Sequence, residues 1–141
     1  MKKSTFYILS FTWGLPLTLA GLITSLALVC LRKKPKRWGG CWYFEIGKGW
    51  GGLEIGIVFL ASKTASDHTK NHEHGHAIQN CYYGPLMPFI VCIPSCTRYL
   101  YRRIRKKLGY SNKTGYDDIW FEGQATRWGT EIVKAWEENE R

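Results

Sequence analysis

The segment His72-Glu73-His74-Gly75-His76 constrains this chain more than any other, because it has the pattern H-E-x-x-H. Residues four apart on a helix lie on one face, so a helix here lets His72 and His76 offer imidazole nitrogens to one metal ion. Glu73 then sits one step round, placed to take a proton from metal-activated water without being a ligand itself. All four histidines of the 141-residue chain fall between His68 and His76, so a loosely metal-binding His-rich tract is the competing reading. Helical geometry separates the two. His68 shares the same face, but it lies about 12 Å along the axis from His76. One ion with bonds of about 2 Å cannot reach both. Only His72 and His76 bracket a glutamate; His74 points to the other side and reads as structural or exposed. Ser66 or Asp67 supplies an N-cap, the helix runs from about His68 to Tyr83, and Gly84-Pro85 stops it.

A hydrolytic zinc site takes three protein ligands and keeps one position open. Position 82 is Tyr and no histidine follows His76, so the third ligand has to be a carboxylate. The downstream acids are Asp117, Asp118, Glu122, Glu131, Glu137, Glu138 and Glu140, the last three in a charged tail that reads as solvated helix end. Glu122 differs from the rest because Ala125 and Gly129 fall on its own helical face, where small residues let two helices approach closely. An ordinary surface glutamate is the plain alternative. It loses ground once the H-E-x-x-H is weighed with it.

His72-Glu73-x-x-His76 followed by Glu122-x-x-Ala125 resembles the gluzincin pattern of zinc peptidases, in which a glutamate on a second helix completes the site. More closely, Gly51-Gly52-Leu53-Glu54-Ile55-Gly56, the H-E-x-x-H with Gln79, Gly84-Pro85-Leu86, Ile93-Pro94-Ser95 and Phe121-Glu122-x-x-Ala125-x-Arg127-x-Gly129 resemble small bacterial membrane proteins with a predicted metallopeptidase core. The similarity runs roughly from Gly49 to Gly129. This chain departs from the family at Thr126, where an acidic or amide residue usually hydrogen-bonds a zinc-bound histidine. The resemblance implies a Zn2+ site of His72, His76 and Glu122, with Glu73 as the general base of peptide-bond hydrolysis. It also implies a peptide or membrane-protein substrate. Tyr116 and Arg127 are candidates for stabilising the oxyanion.

Phe6 to Leu31 carries no charge and exceeds the roughly 20 residues that span a bilayer. It is longer than a signal-peptide core and lacks an A-x-A cleavage site, so it reads as a retained transmembrane helix. Arg32 to Arg37 form the heavier basic flank, which places the rest of the chain on the cytoplasmic side of the cell membrane. A second apolar stretch, Pro85 to Leu100, is broken by Pro88 and Pro94 and leads into Arg102, Arg103, Arg105, Lys106 and Lys107. A re-entrant or interfacial hairpin in this apolar segment keeps both basic clusters inside. The net charge of +9 then meets anionic lipid headgroups, and no nucleic-acid partner is expected, since the clusters abut apolar segments and no recognition motif is present. Five cysteines without a Cys-x-x-Cys pair exclude a cysteine-built zinc site and suit a reducing compartment.

The expected architecture is α+β: residues 1–37 as membrane anchor and basic juxtamembrane linker, and 38–141 as a minimal zincin-like domain. That domain holds Cys41–Ile46 and Leu53–Leu60 as strands joined by the glycine-rich turn between them, the H-E-x-x-H helix, the apolar segment, and a last helix bearing Glu122, capped by Asp117 or Asp118. Leu53–Leu60 is the candidate edge strand for extended substrate, with Glu54 facing either cleft or solvent. The rival functions are a non-catalytic zinc-binding membrane protein with a structural or sensing role, and a basic membrane protein without metal.

Overall fold

In the computed structural model, which describes residues 1–139, the chain is α+β. It has helices α1 (Lys3–Ser10), α2 (Leu15–Cys30), α3 (Asp67–Tyr83), α4 (Ile93–Lys107) and α5 (Trp120–Asn139), and strands β1 (Lys36–Trp38), β2 (Cys41–Glu45), β3 (Gly52–Ile55) and β4 (Val58–Ala61). Glu140 of the candidate acids lies outside the described residues.

The expected single transmembrane helix is not there. No single helix among the described residues is long and apolar enough to cross a membrane; α1 and α2 meet at 88° and pass such a test only as a bent pair. The break has a chemical cause. Pro16 near the start of α2 lacks an N–H and cannot continue α1. The corner is also held from outside: Asn80 Nδ2 donates to the Gly14 carbonyl (3.1 Å) and Trp13 Nε1 to that of Tyr82 (3.2 Å). α1 belongs to the core. Phe6 is fully buried, with its ring centroid 5.6 Å from that of His74 and 5.5 Å from that of Trp136. Burying such a side chain contributes about 1.5–3 kcal/mol. α2 behaves differently, with only Thr18 and Gly21 buried and most of its leucines exposed.

The sheet order is β1-β2-β4-β3. β2 and β4 run parallel, whereas β1 pairs antiparallel with β2 and β3 antiparallel with β4. The expected hairpin between Cys41–Ile46 and Leu53–Leu60 is therefore corrected. Leu53–Leu60 folds on itself at Gly56-Ile57, where Gly56 takes φ +69, a conformation that favours glycine. The longer loop before it carries β3 to the edge and leaves room for β4 beside β2. The basic linker also contributes structure, since Lys36–Trp38 forms β1.

α3 begins at Ser66, whose hydroxyl accepts the Thr69 N–H (3.3 Å), and ends at Gly84 with φ +52. Phe44, Phe59, Ile57 and Ile78 fill the space between sheet and helix. Pro85 to Leu100 forms no hairpin. A 3-10 turn (Gly84–Leu86) and a π-helical turn (Pro88–Cys92) lead directly into α4.

Candidate metal centre

Small residues let α5 lie almost backbone-to-backbone on α3. A Cβ on Gly75 would overlap the Ala125 carbonyl, and one on Gly129 would overlap that of Asn71. Gln79 Nε2 donates to the Phe121 carbonyl (2.8 Å). Asn71 against Gly129, Gly75 against Ala125 and Gln79 against Phe121 run in opposite order along the two helices, so they pack antiparallel. That register sets Glu122 opposite His76 and Thr126 opposite His72.

The structure brings His72, His76 and Glu122 together and buries all three. His72 Nε2 lies 3.0 Å from Glu122 Oε2, His76 Nε2 3.2 Å from the same oxygen, and the two Nε2 atoms are 3.1 Å apart. The outer nitrogens define the tautomers. His76 Nδ1 faces Gln79 Oε1 (2.8 Å), an acceptor, because the Gln79 amide nitrogen already donates to Phe121 and Gln124. Thr126 Oγ1 donates to Asp117 Oδ2 (2.9 Å), which leaves it to accept from His72 Nδ1 (2.8 Å). Both Nδ1 atoms therefore carry hydrogen, and both Nε2 lone pairs point at each other and at a carboxylate oxygen. Three acceptors converging with no donor among them is an arrangement that a cation completes. Glu122 Oε1 is likewise buried without a hydrogen-bond partner.

The electrostatics agree. Burial lowers the pKa of His76, yet Glu122, Glu73 and Glu54 raise it to about 9, so without a metal a proton is the cation held here. Burial raises Glu122, but the His72 and His76 imidazoles against it hold it well below the usual carboxylate range. Glu73 is pushed up by burial and drawn back by His76 and His72; its carboxylate also accepts the Glu54 backbone N–H. Gly52 makes room for it, since a Cβ there would lie 2.5 Å from Glu73 Cγ.

The cluster opens on a cleft of about 660 Å3 between β3, α3 and the segment from Met87 to Leu100. One wall is β3, an edge strand whose outer side pairs with no strand among the described residues. Glu54 faces this cleft rather than solvent, is buried, and has burial as the main cause of a pKa of about 8. Tyr116 also lines the cleft, with its ring 6.0 Å from that of His72 and its hydroxyl 3.3 Å from Ser95 Oγ. Arg127 is exposed and does not line it.

The remaining candidates lie outside the cluster, although His68, Asp117 and Asp118 line the cleft. His68 is exposed, 3.6 Å from Asp117 Oδ2. His74 is fully buried on the far side, its Nε2 accepting the Gly40 N–H (3.1 Å), so it is structural and not exposed. Asp117 and Asp118, expected to cap α5, instead lie in a 3-10 turn before it, where Asp118 accepts the Gly115 N–H (2.6 Å) and Asp117 accepts from the Thr126 hydroxyl. Glu131, Glu137 and Glu138 are exposed along α5. Sequence reasoning missed the Thr126–Asp117 pair, because the nine-residue separation crosses a turn with no periodic signal. No family model matches the chain, and neither a curated protein nor a solved structure is significantly similar to it.

Proposed function

We propose that this chain is a zinc-dependent peptidase acting at a membrane surface, with His72, His76 and Glu122 as metal ligands and Glu73 as general base. The observation that carries the reading is the convergence of two imidazole lone pairs and one carboxylate beside a buried glutamate at the floor of a cleft. Tetrahedral zinc with bonds of about 2.0–2.1 Å sets its ligand atoms about 3.3 Å apart, close to the 3.0–3.2 Å separations here. Bound there, zinc supplies Lewis-acid activation of water and of the scissile carbonyl.

The other roles belong to the protein. Glu73 accepts the proton from the attacking water and delivers it to the leaving amine. The Glu54 N–H fixes one side of its carboxylate, and Gly52 keeps the approach clear. The outer edge of β3, apart from the Glu54 N–H that Glu73 takes, is left for an extended peptide, which would add as a further strand across the cleft. Tyr116 is the group placed to donate to the developing oxyanion, since it is the hydroxyl-bearing ring of the cleft nearest His72. α2 and the basic clusters keep the protein at anionic lipid.

The test is peptide hydrolysis by zinc-loaded protein against Glu73→Gln. The expected result is zinc content equal to wild type with kcat reduced about 10²–10⁴-fold. Equal zinc content and no hydrolysis of any peptide by the wild type would instead assign the cluster a structural or sensing role.

A further inference from the structure

α4 presents two surfaces besides the metal cluster, and only Leu100 of them also lines the cleft. Ile93, Leu100, Ile104 and Leu108 fall on one stripe at helical spacing, and all four are exposed. On the other side of the helix, Arg98, Arg102 and Arg105 line a separate cavity of about 300 Å3 with Lys113 and Thr114.

The three guanidinium groups are held in place. Arg98 Nη2 donates to the Gly115 carbonyl (2.8 Å), Arg102 Nη1 to that of Thr114 (2.8 Å) and Arg105 Nη2 to that of Ser111 (3.2 Å). Tyr116 lies under Arg98 and Arg102, and Tyr101 and Tyr110 under Arg105. Carbonyls and rings orient these groups without neutralising them. Among the described residues no carboxylate lies within ion-pair distance of the three arginines. The nearby acids are engaged elsewhere, Asp118 on the Gly115 N–H and Asp117 on Thr126. A guanidinium has five N–H donors, so Arg98 Nη1 and the Nε and Nη2 of Arg102 remain available to a ligand.

We propose that α4 lies in the interface of an anionic bilayer, with its apolar stripe among the acyl chains and a phospholipid phosphate in the Arg98–Arg102–Arg105 pocket. Arginine forks match phosphate oxygens in pairs. A helix with one exposed apolar stripe flanked by cations has the make-up of an interfacial helix. Charge complementarity selects the occupant. A second copy of this chain would bring the same positive surface, and a nucleic acid would leave the apolar stripe unexplained. α2 packs just before α4 through Leu17, which meets the Met87–Val91 cluster, and it too carries exposed apolar residues, Leu19, Ile23 and Leu26. The proposal rests on the membrane-surface part of the function proposed above, but its pocket holds none of the metal ligands, so it stands or falls separately from the peptidase chemistry.

The experiment is vesicle co-sedimentation of the full chain, with and without a zinc chelator. Vesicles of phosphatidylcholine alone are compared with vesicles containing phosphatidylglycerol, and inorganic phosphate serves as competitor. The anionic vesicles are expected to bind the protein whether or not metal is present. The double variant Arg102→Lys/Arg105→Lys keeps the charge but loses the forks, and is expected to bind about tenfold more weakly; Arg103→Lys, outside the pocket, is expected to bind as wild type. Lys113→Gln, an exposed pocket residue that cannot disturb the fold, is expected to lose about fivefold, and the charge-matched Lys48→Gln nothing. Equal binding to both vesicle types would overturn the proposal, as would full affinity in both pocket variants. Saturable uptake of inorganic phosphate without vesicle binding would reassign the pocket to free anions and overturn the lipid.

Discussion

Thr126 sets a hydroxyl directly against His72, and a neighbouring turn supplies a carboxylate behind it. Asp117 accepts from Thr126, and Thr126 accepts from His72. Outer groups of this kind fix tautomer and ring orientation, and losing one typically costs about 10–100-fold in metal affinity. Thr126→Val and Asp117→Asn are therefore expected to weaken zinc binding within that range, measured by chelator competition. Thr126→Asp, which brings a carboxylate directly to His72, is expected to restore affinity in the Asp117→Asn background. Glu54 gives a second residue-scale prediction. Its folded pKa of about 8 exceeds its ordinary 4.5, so the folded state binds the extra proton. Its contribution to stability is full below about 4.5 and is lost as pH rises towards 8, with a slope of at most about 1.4 kcal/mol per pH unit. Glu54→Gln is expected to flatten that slope in metal-free protein, and chemical denaturation at a series of pH values reads it.

Among the elements, the α3–α5 contact does most to make the site, and it is also the part most legible in the sequence. Ala125 and Gly129 share a helical face with Glu122, and that spacing alone implies a close helix pair. Gly75 is the matching feature inside the histidine motif, and its need becomes visible only once Ala125 is seen to lie against it. Gly75→Ala or Gly129→Ala forces the helices apart. Each is expected to destabilise by about 1–3 kcal/mol and to lower zinc affinity, while Gly51→Ala, which meets nothing within 4 Å, leaves stability unchanged. Denaturation midpoints with zinc titrations check both. The sheet was less legible. Alternation and glycine identify strands but carry no information on which strand inserts between which, and β4 enters beside β2 because the tighter turn is at Gly56. β1 hides in a basic segment because its exposed pattern resembles linker.

Across the molecule, an uncharged N-terminal run does not identify a span. Phe6 to Leu31 has the composition of one, but Pro16, Gly14 and the bonds from Asn80 and Trp13 divide it between a core helix and an exposed one. Hydropathy registers the total and not the division. α2 and α4 both leave large apolar side chains exposed, and of these Leu100 lines the cleft.

Whether two imidazoles and one carboxylate hold a single metal ion decides the function proposed for this fold, and zinc-edge X-ray absorption on protein carrying one bound equivalent reads it. Two histidine shells with oxygen completing the coordination, and loss of the bound zinc in Glu122→Gln but not in Glu131→Gln, are the predicted results. Sulfur scatterers in the spectrum, or zinc held as tightly after His76→Ala, would contradict that coordination.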